Sequence, residues 1–313
     1  MSLSRRWFPI LLAGVFVTLM AGMSRALACP ELLFPEMAAI LCGGWIQPRQ
    51  AWNVDRPRMV LLMAFAATLG LASNLWVPLP LAARVILGYA ICATTMNVVG
   101  ADMTPMLSAA ILPMLLGTDS WIYPLAVVGL VLVVCLGQVW LEGMGVRESI
   151  DYRTLRLPWR EALPFWGKRL AVFGVVAVPA YLTGHTFLAV PPLIVAYTEL
   201  TRPDFTLRAR PQRAWAALAG AGAIGAAARA AVDGAGVPAS LAAALGFVLL
   251  VLLWDRTRAW MPPAGAAFLL ALLAPVPNPL VYAVEVAVGA ALWTLVALVL
   301  FDGVRPSWWP GVR

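Results

Sequence analysis

Glu36, Arg84, Arg229 and Glu285 all fall inside or at the edge of apolar stretches of this sequence. A charge at a bilayer centre costs at least about 2.5–3.5 kcal/mol on insertion scales, so such residues face a cavity or a partner. Two arginines and two glutamates could form a vestibule in which Arg84 and Arg229 attract an anion and Glu36 or Glu285 carries a proton. In a plainer reading both arginines snorkel to headgroups and pair with the glutamates. Arg84, a few residues from a helix start, suits snorkelling, whereas Glu285 sits about seven residues into its segment and cannot reach far.

Prolines mark a second constellation. Phe34-Pro35, Thr104-Pro105, Pro191-Pro192 and Pro262-Pro263 each open a short apolar stretch. Proline in a first helical turn lacks only an N–H that would be unpaired anyway. A helix that starts at membrane depth exposes N–H groups able to hold an anion, and transporters place sites at such broken helices. The alternative is that these prolines end loops at the surface. The transport reading expects the starts at Pro35, Pro105, Pro191 and Pro263 to converge on one central polar pocket, with Glu285 the deepest acid.

Other chemistries find little support. Cys29, Cys42, Cys92 and Cys135 have no CxxC spacing, and with His185 the single histidine no zinc site can be assembled. No HExxH, GxSxG or GxxxxGK[ST] motif is present, so neither an enzyme nor a nucleotide-driven pump is expected, and no cofactor. The Ala- and Gly-rich run from Ala217 to Ala231 reads as a face for close helix packing.

The elements that must position these residues are membrane helices. Hydrophobic residues make up 62% of the 313 and charged residues 12%, with a mean hydropathy of +0.85. Soluble domains sit near half and a quarter. The fold class is therefore all-α, a polytopic membrane bundle. About twelve apolar segments can be marked: 7–24, 32–46, 59–77, 81–100, 103–117, 120–141, 170–187, 188–201, 214–232, 237–254, 261–275 and 279–301. The short ones are second and fifth in each six. Motifs recur between the sixes at offsets of about 154 to 163, which predicts two parallel six-helix repeats, 1–145 and 161–313, joined by a cytoplasmic linker at 146–160. Ser4-Arg5-Arg6, an apolar run and Ala26-Leu27-Ala28-Cys29 resemble a signal peptide with a poor lipobox, but the repeat needs this segment as its first helix.

If every segment crosses, nearly all Lys and Arg fall on one side, leaving Arg25, Arg84 and Arg229 elsewhere. The positive-inside rule then puts both termini in the cytoplasm of a cell with this protein in its inner (plasma) membrane. The net charge of +7 thus records orientation, not a nucleic-acid partner. The polar stretch from Glu142 to Arg169 is expected to lie as a solvated connector against headgroups, and Trp45, Trp52, Trp159, Trp166, Trp254, Trp260, Trp308 and Trp309 to form an interfacial belt.

Met261-Pro262-Pro263-Ala264-Gly265-Ala266-Ala267 resembles the His-Pro-Pro-Ala-Gly-Ala signature of the HPP family of integral membrane proteins, with Met261 in place of the histidine and the unit present twice. Val190-Pro191-Pro192 through Arg210-Pro211 is similar to that family's further elements. The six-helix pattern also resembles the membrane domain of fusaric-acid-resistance and aromatic-acid exporters. The resemblance implies a permease, and nitrite transport is attributed to some HPP members. The expected function is a secondary transporter or channel for a small anion or organic acid, with its site between the repeats and the lipid bilayer and solute as partners; a homo-oligomer stays open. The alternative is a non-transporting assembly or partner subunit.

Overall fold

The computed structural model describes residues 3–301, with side chains from residue 7 onward. The side chains of Arg5 and Arg6, and all of Arg305, Trp308, Trp309 and Arg313, lie outside the described residues. The described chain is all-helical, without strands. Its α-helices are α1 (Leu3–Ala26), α2 (Glu36–Leu41), α3 (Arg56–Trp76), α4 (Leu81–Val99), α5 (Pro105–Leu116), α6 (Ile122–Gly143), α7 (Trp159–Leu182), α8 (Pro191–Leu200), α9 (Pro211–Ala235), α10 (Ala239–Thr257), α11 (Pro262–Leu273) and α12 (Pro279–Phe301).

Eight of these are long and apolar enough to cross a membrane: α1, α3, α4, α6, α7, α9, α10 and α12. The expected count of about 12 transmembrane segments is corrected here, because α2, α5, α8 and α11 are too short to cross alone. The longest of them has 12 residues, a rise of about 18 Å against ~30 Å of hydrocarbon. A five-residue π-turn, Cys42–Ile46, extends α2.

Local sequence sets the boundaries. The Asp55 carboxylate caps α3 by accepting from the Arg58 backbone N–H at 3.1 Å, with Pro57 beside it. Gly100, Gly117 and Gly236 end α4, α5 and α9 in the left-handed conformation that only glycine adopts cheaply.

The four short helices form an inner layer. All of α2 and α8 is buried, as are Pro105–Met114 of α5 and Pro262–Leu272 of α11. Within the layer α2 packs on α11 and α5 on α8. The long helices surround it and turn large apolar side chains outward, such as Leu125 at 70% and Val175 at 75% exposure. Such a surface suits lipid better than water. The Ala-Gly run lies on α9 and packs as its composition suggests: Ala217, Ala221, Gly222 and Gly225 are buried, and α9 lies along α10, α11 and α12.

Cross-links fix which ends meet. Arg56 pairs with Glu142, joining the start of α3 to the end of α6. Phe8 meets Trp140 edge-on at 5.4 Å, Gln47 Nε2 donates to the Trp260 carbonyl at 2.9 Å, and Lys168 Nζ donates to the Leu300 carbonyl at 2.5 Å. At this basic end lie the starts of α3, α5, α9 and α11 and the ends of α2, α4, α6, α8, α10 and α12.

Two expectations about this end are corrected. The stretch after α6 is not a free connector: α7 begins at Trp159, and 144–158 is pinned to the bundle. Asn97 Nδ2 donates to the Leu157 carbonyl at 3.2 Å and Asn97 Oδ1 accepts from the Leu157 N–H at 3.0 Å. The Leu155 N–H reaches the Gly100 carbonyl at 2.8 Å. Nor do all the tryptophans form a belt, since Trp45, Trp52 and Trp254 are buried. Trp45 Nε1 satisfies its hydrogen bond internally, on the Val134 carbonyl at 2.9 Å.

Candidate functional site

An open cavity of about 1140 Å³ enters from the basic end, between the loop after α2 and the loops that follow α8 and α10. Glu199, on the last turn of α8, lies on its wall and is 2% exposed. Its Oε1 accepts from Trp52 Nε1 at 2.8 Å and from Thr104 Oγ1, the cap of α5, at 2.9 Å. Its Oε2 is buried with no hydrogen-bond partner. The start of α5 brings partial positive charge to this carboxylate, which the helix dipole favours.

Beside it, Arg202 pairs with Asp102 at 2.5 Å and with Asp204 at 3.2 Å. Burial works against the Arg202 charge, and the two aspartates more than offset it, holding its pKa above the usual guanidinium value. Behind Arg202 lies a chamber of about 40 Å³ bordered by Thr104, Thr198 and Arg169. Arg169 is 2% exposed; its guanidinium lies 3.8 Å from the Phe165 ring centroid and 4.7 Å from that of Trp166. Its Nε and Nη2 are buried without hydrogen-bond partners.

Glu36 begins α2 at 1% exposure, and Ser108 Oγ, one turn into α5, donates to its Oε1. Its Oε2, like that of Glu199, is buried without a partner. Next to it, Leu33 and Tyr123 border a pocket of about 190 Å³ that also touches Leu116 and Leu273 at the ends of α5 and α11. This is the far end of the bundle.

The structure thus divides the expected site residues. Pro35, Pro191 and Pro192 start α2 and α8 toward the far end, while Pro105, Pro262 and Pro263 start α5 and α11 at the basic end. The starts form two opposed pairs, and the first turn of α2 lies close to those of α5 and α11, through Glu36 with Ser108 and Ala38 with Gly265; of these prolines, Pro262 lines the large cavity. Arg84 and Arg229 do not pair with Glu36 or Glu285. Arg84 Nη1 donates to Asn74 Oδ1 at 2.5 Å; Arg229 pairs with Asp233 at 2.5 Å and donates to the Ala274 carbonyl at 3.1 Å, capping the end of α11. Glu285 is not the deepest acid. It meets His185 Nδ1 at 2.8 Å and accepts from the Phe187 N–H at 3.1 Å, tying down the loop before α8.

Glu199, Arg169 and Arg202 escaped the sequence reading. Glu199 carried a usable signal, as an acid inside the apolar segment 188–201, but its nearness to a polar loop masked it. Arg169 sits among Arg160 and Lys168, and nothing in a run of bases marks the one that the fold buries.

Comparison with family models, curated proteins and solved structures finds no match for this chain.

Proposed function

We propose that the chain is a membrane permease, a secondary transporter or channel for a small anion or organic acid, whose solute reaches the inner layer of short helices through the basic-end cavity. The observation that carries this reading is Arg169: a buried guanidinium with two unpartnered N–H groups at a chamber beside that cavity. A buried cation is costly without a counter-charge, and a small anion supplies one. Arg258, on the cavity wall, has no acidic partner among the described residues, and it adds to the positive lining.

Two six-helix repeats fit the same reading, because bonds recur at matching positions. Tyr123 Oη donates to the Ala109 carbonyl at 2.8 Å, and Tyr282 Oη to the Ala267 carbonyl at 2.5 Å. Asn74 reaches the Pro113 carbonyl near the end of α5 as Arg229 reaches the Ala274 carbonyl after α11. The pairs α2 with α11 and α5 with α8 are exchanged by the same correspondence. Parallel repeats, cytoplasmic termini, an inner-membrane location and kinship with the HPP family belong to this proposal.

The test is flux of nitrite, formate, acetate and chloride in liposomes holding the purified protein. Saturable uptake of one of these, lost in Arg169→Gln, is expected. A tight, inert bilayer across the whole panel favours the assembly-subunit reading.

A further inference from the structure

Glu36 and Glu199 share a peculiarity. Each is almost fully buried, each has one carboxylate oxygen bonded to a hydroxyl of α5, and each leaves Oε2 buried with nothing to accept from. An ionised carboxylate offers about four acceptor positions, and one left unmet in a low dielectric costs several kcal/mol. A protonated carboxyl removes the charge and most of that cost. The two hydroxyls are four residues apart at the start of α5, so they share one face about 6 Å apart along its axis.

The two acids differ in access: Glu199 lines an open cavity, whereas Glu36 is enclosed one turn further along α5. Glu199 meets the large basic-end cavity directly, and the far-end pocket touches Leu33 and Tyr123 near Glu36. Around Glu199 stand Arg202 on its own helix's exit, Asp102 before α5 and the Cys42 thiol after α2. Around Glu36 stand Tyr123 of α6 and Tyr282 of α12, whose hydroxyls are committed to backbone carbonyls. The packed helices α5 and α11 carry no titratable side chain, and among the described side chains of α1 the charged one is Arg25, exposed in its last turn. Among the described residues no cation therefore stands against Glu36, and one ion-paired cation stands near Glu199.

We infer that Glu36 and Glu199 are a pair of proton-binding carboxyls, linked along the first turn of α5 by Thr104 and Ser108, that couple solute movement to a proton gradient. The coupling rests on the permease reading; the proton binding does not.

The experiment has two arms on the full chain. Infrared spectroscopy of the purified protein during pH titration reads the carbonyl stretch of neutral carboxylic acids. Two buried bands are expected, one absent in Glu36→Gln and the other in Glu199→Gln, with Glu36→Asp and Glu199→Asp restoring shifted bands. In the second arm, liposomes carry an imposed pH gradient and the anion panel above. Gradient-driven accumulation is expected to be lost in both Gln variants and to be partly retained in Glu36→Asp and Glu199→Asp, which keep a carboxyl. Wild-type protein without these bands, bands unaltered by the Gln variants, or Gln variants that accumulate solute like wild type would overturn the proposal. Titrating bands in a protein that moves no anion would overturn the permease reading and leave the proton sites standing.

Discussion

Thr104 and Glu199, 95 residues apart, meet at 2.9 Å where the start of α5 abuts the end of α8. The bond joins the two sequence halves at the layer of short helices. Thr104→Val keeps the shape and removes the donor. It is expected to destabilise the folded protein by about 0.5–1.5 kcal/mol, the usual net worth of one hydrogen bond, since Glu199 Oε1 keeps its bond from Trp52 Nε1. Thr104→Ser should stay near wild type. Thermal unfolding in detergent separates the two.

Gly70 and Gly225 are sites where helix backbones touch. A Cβ on Gly225 would stand 2.5 Å from the Phe268 carbonyl oxygen and 2.9 Å from the Ala271 Cβ of α11; a Cβ on Gly70 would clash in the same way with the Ala110 carbonyl and Pro113 of α5. Backbone cannot yield as a side chain can, so Gly70→Ala and Gly225→Ala are each expected to cost about 1–3 kcal/mol. Gly129→Ala meets nothing within 4 Å and should be neutral or mildly stabilising. Equal loss at the two glycines, read from melting temperatures, also fits the repeat correspondence.

The all-helical class and the approximate position of most helices were legible in composition and run length, because apolar runs report burial; the start of α7 at Trp159 was not, since its first turns carry the charges of a connector. The four short helices were visible as stretches second and fifth in each six. Their inability to cross alone was not, since sequence hides where the apolar run is helix and where it is extended chain, as at Leu33 and Val190. Burial was legible at Glu36, a charge deep in an apolar run. It was misread at Glu285, whose partners are a loop histidine and a loop N–H that no spacing announces. Arg169 and Arg202 owe their burial to contacts between distant helices, which one sequence without relatives does not display.

The clasp between Asn97 and Leu157 holds the segment that joins the halves. Asn97→Ala removes both bonds at once and leaves a buried carbonyl and N–H of Leu157 unmatched. The segment 148–157 should then open locally. Limited proteolysis is expected to cut there several times faster than in wild type, while the melting temperature of the bundle moves little.

Sidedness follows from the same segment. Arg156 is exposed at the basic end and Thr183 is exposed beyond the end of α7, at the far end. In a Cys29→Ser background the remaining cysteines are buried. An impermeant maleimide on intact cells is expected to label Thr183→Cys and to spare Arg156→Cys until the membrane is opened. The opposite pattern would invert the assignment of the basic end to the cytoplasm.

Arg202 links the same two halves as the Thr104 bond, through Asp102 before α5. Its pKa is raised above the usual guanidinium value by Asp102 and Asp204, which outweigh the opposing effect of burial. A raised basic pKa gives stability that is present below the unfolded-state pKa and lost as pH rises through the folded one. For Arg202 that window lies above any usable alkaline pH, so this pair should not contribute to base-induced unfolding. Asp102→Asn, by contrast, strips one counter-charge from a buried cation and is expected to cost about 3–5 kcal/mol, as breaking a buried pair typically does. Asp102→Asn with Arg202→Met removes both charges and should recover most of that loss, because an apolar side chain of similar length needs no partner there. Melting temperatures of the single and double variants between neutral and alkaline pH decide the matter. A double variant no more stable than the single one would mean that Arg202 is held by its packing, and that Asp102 matters for a different bond.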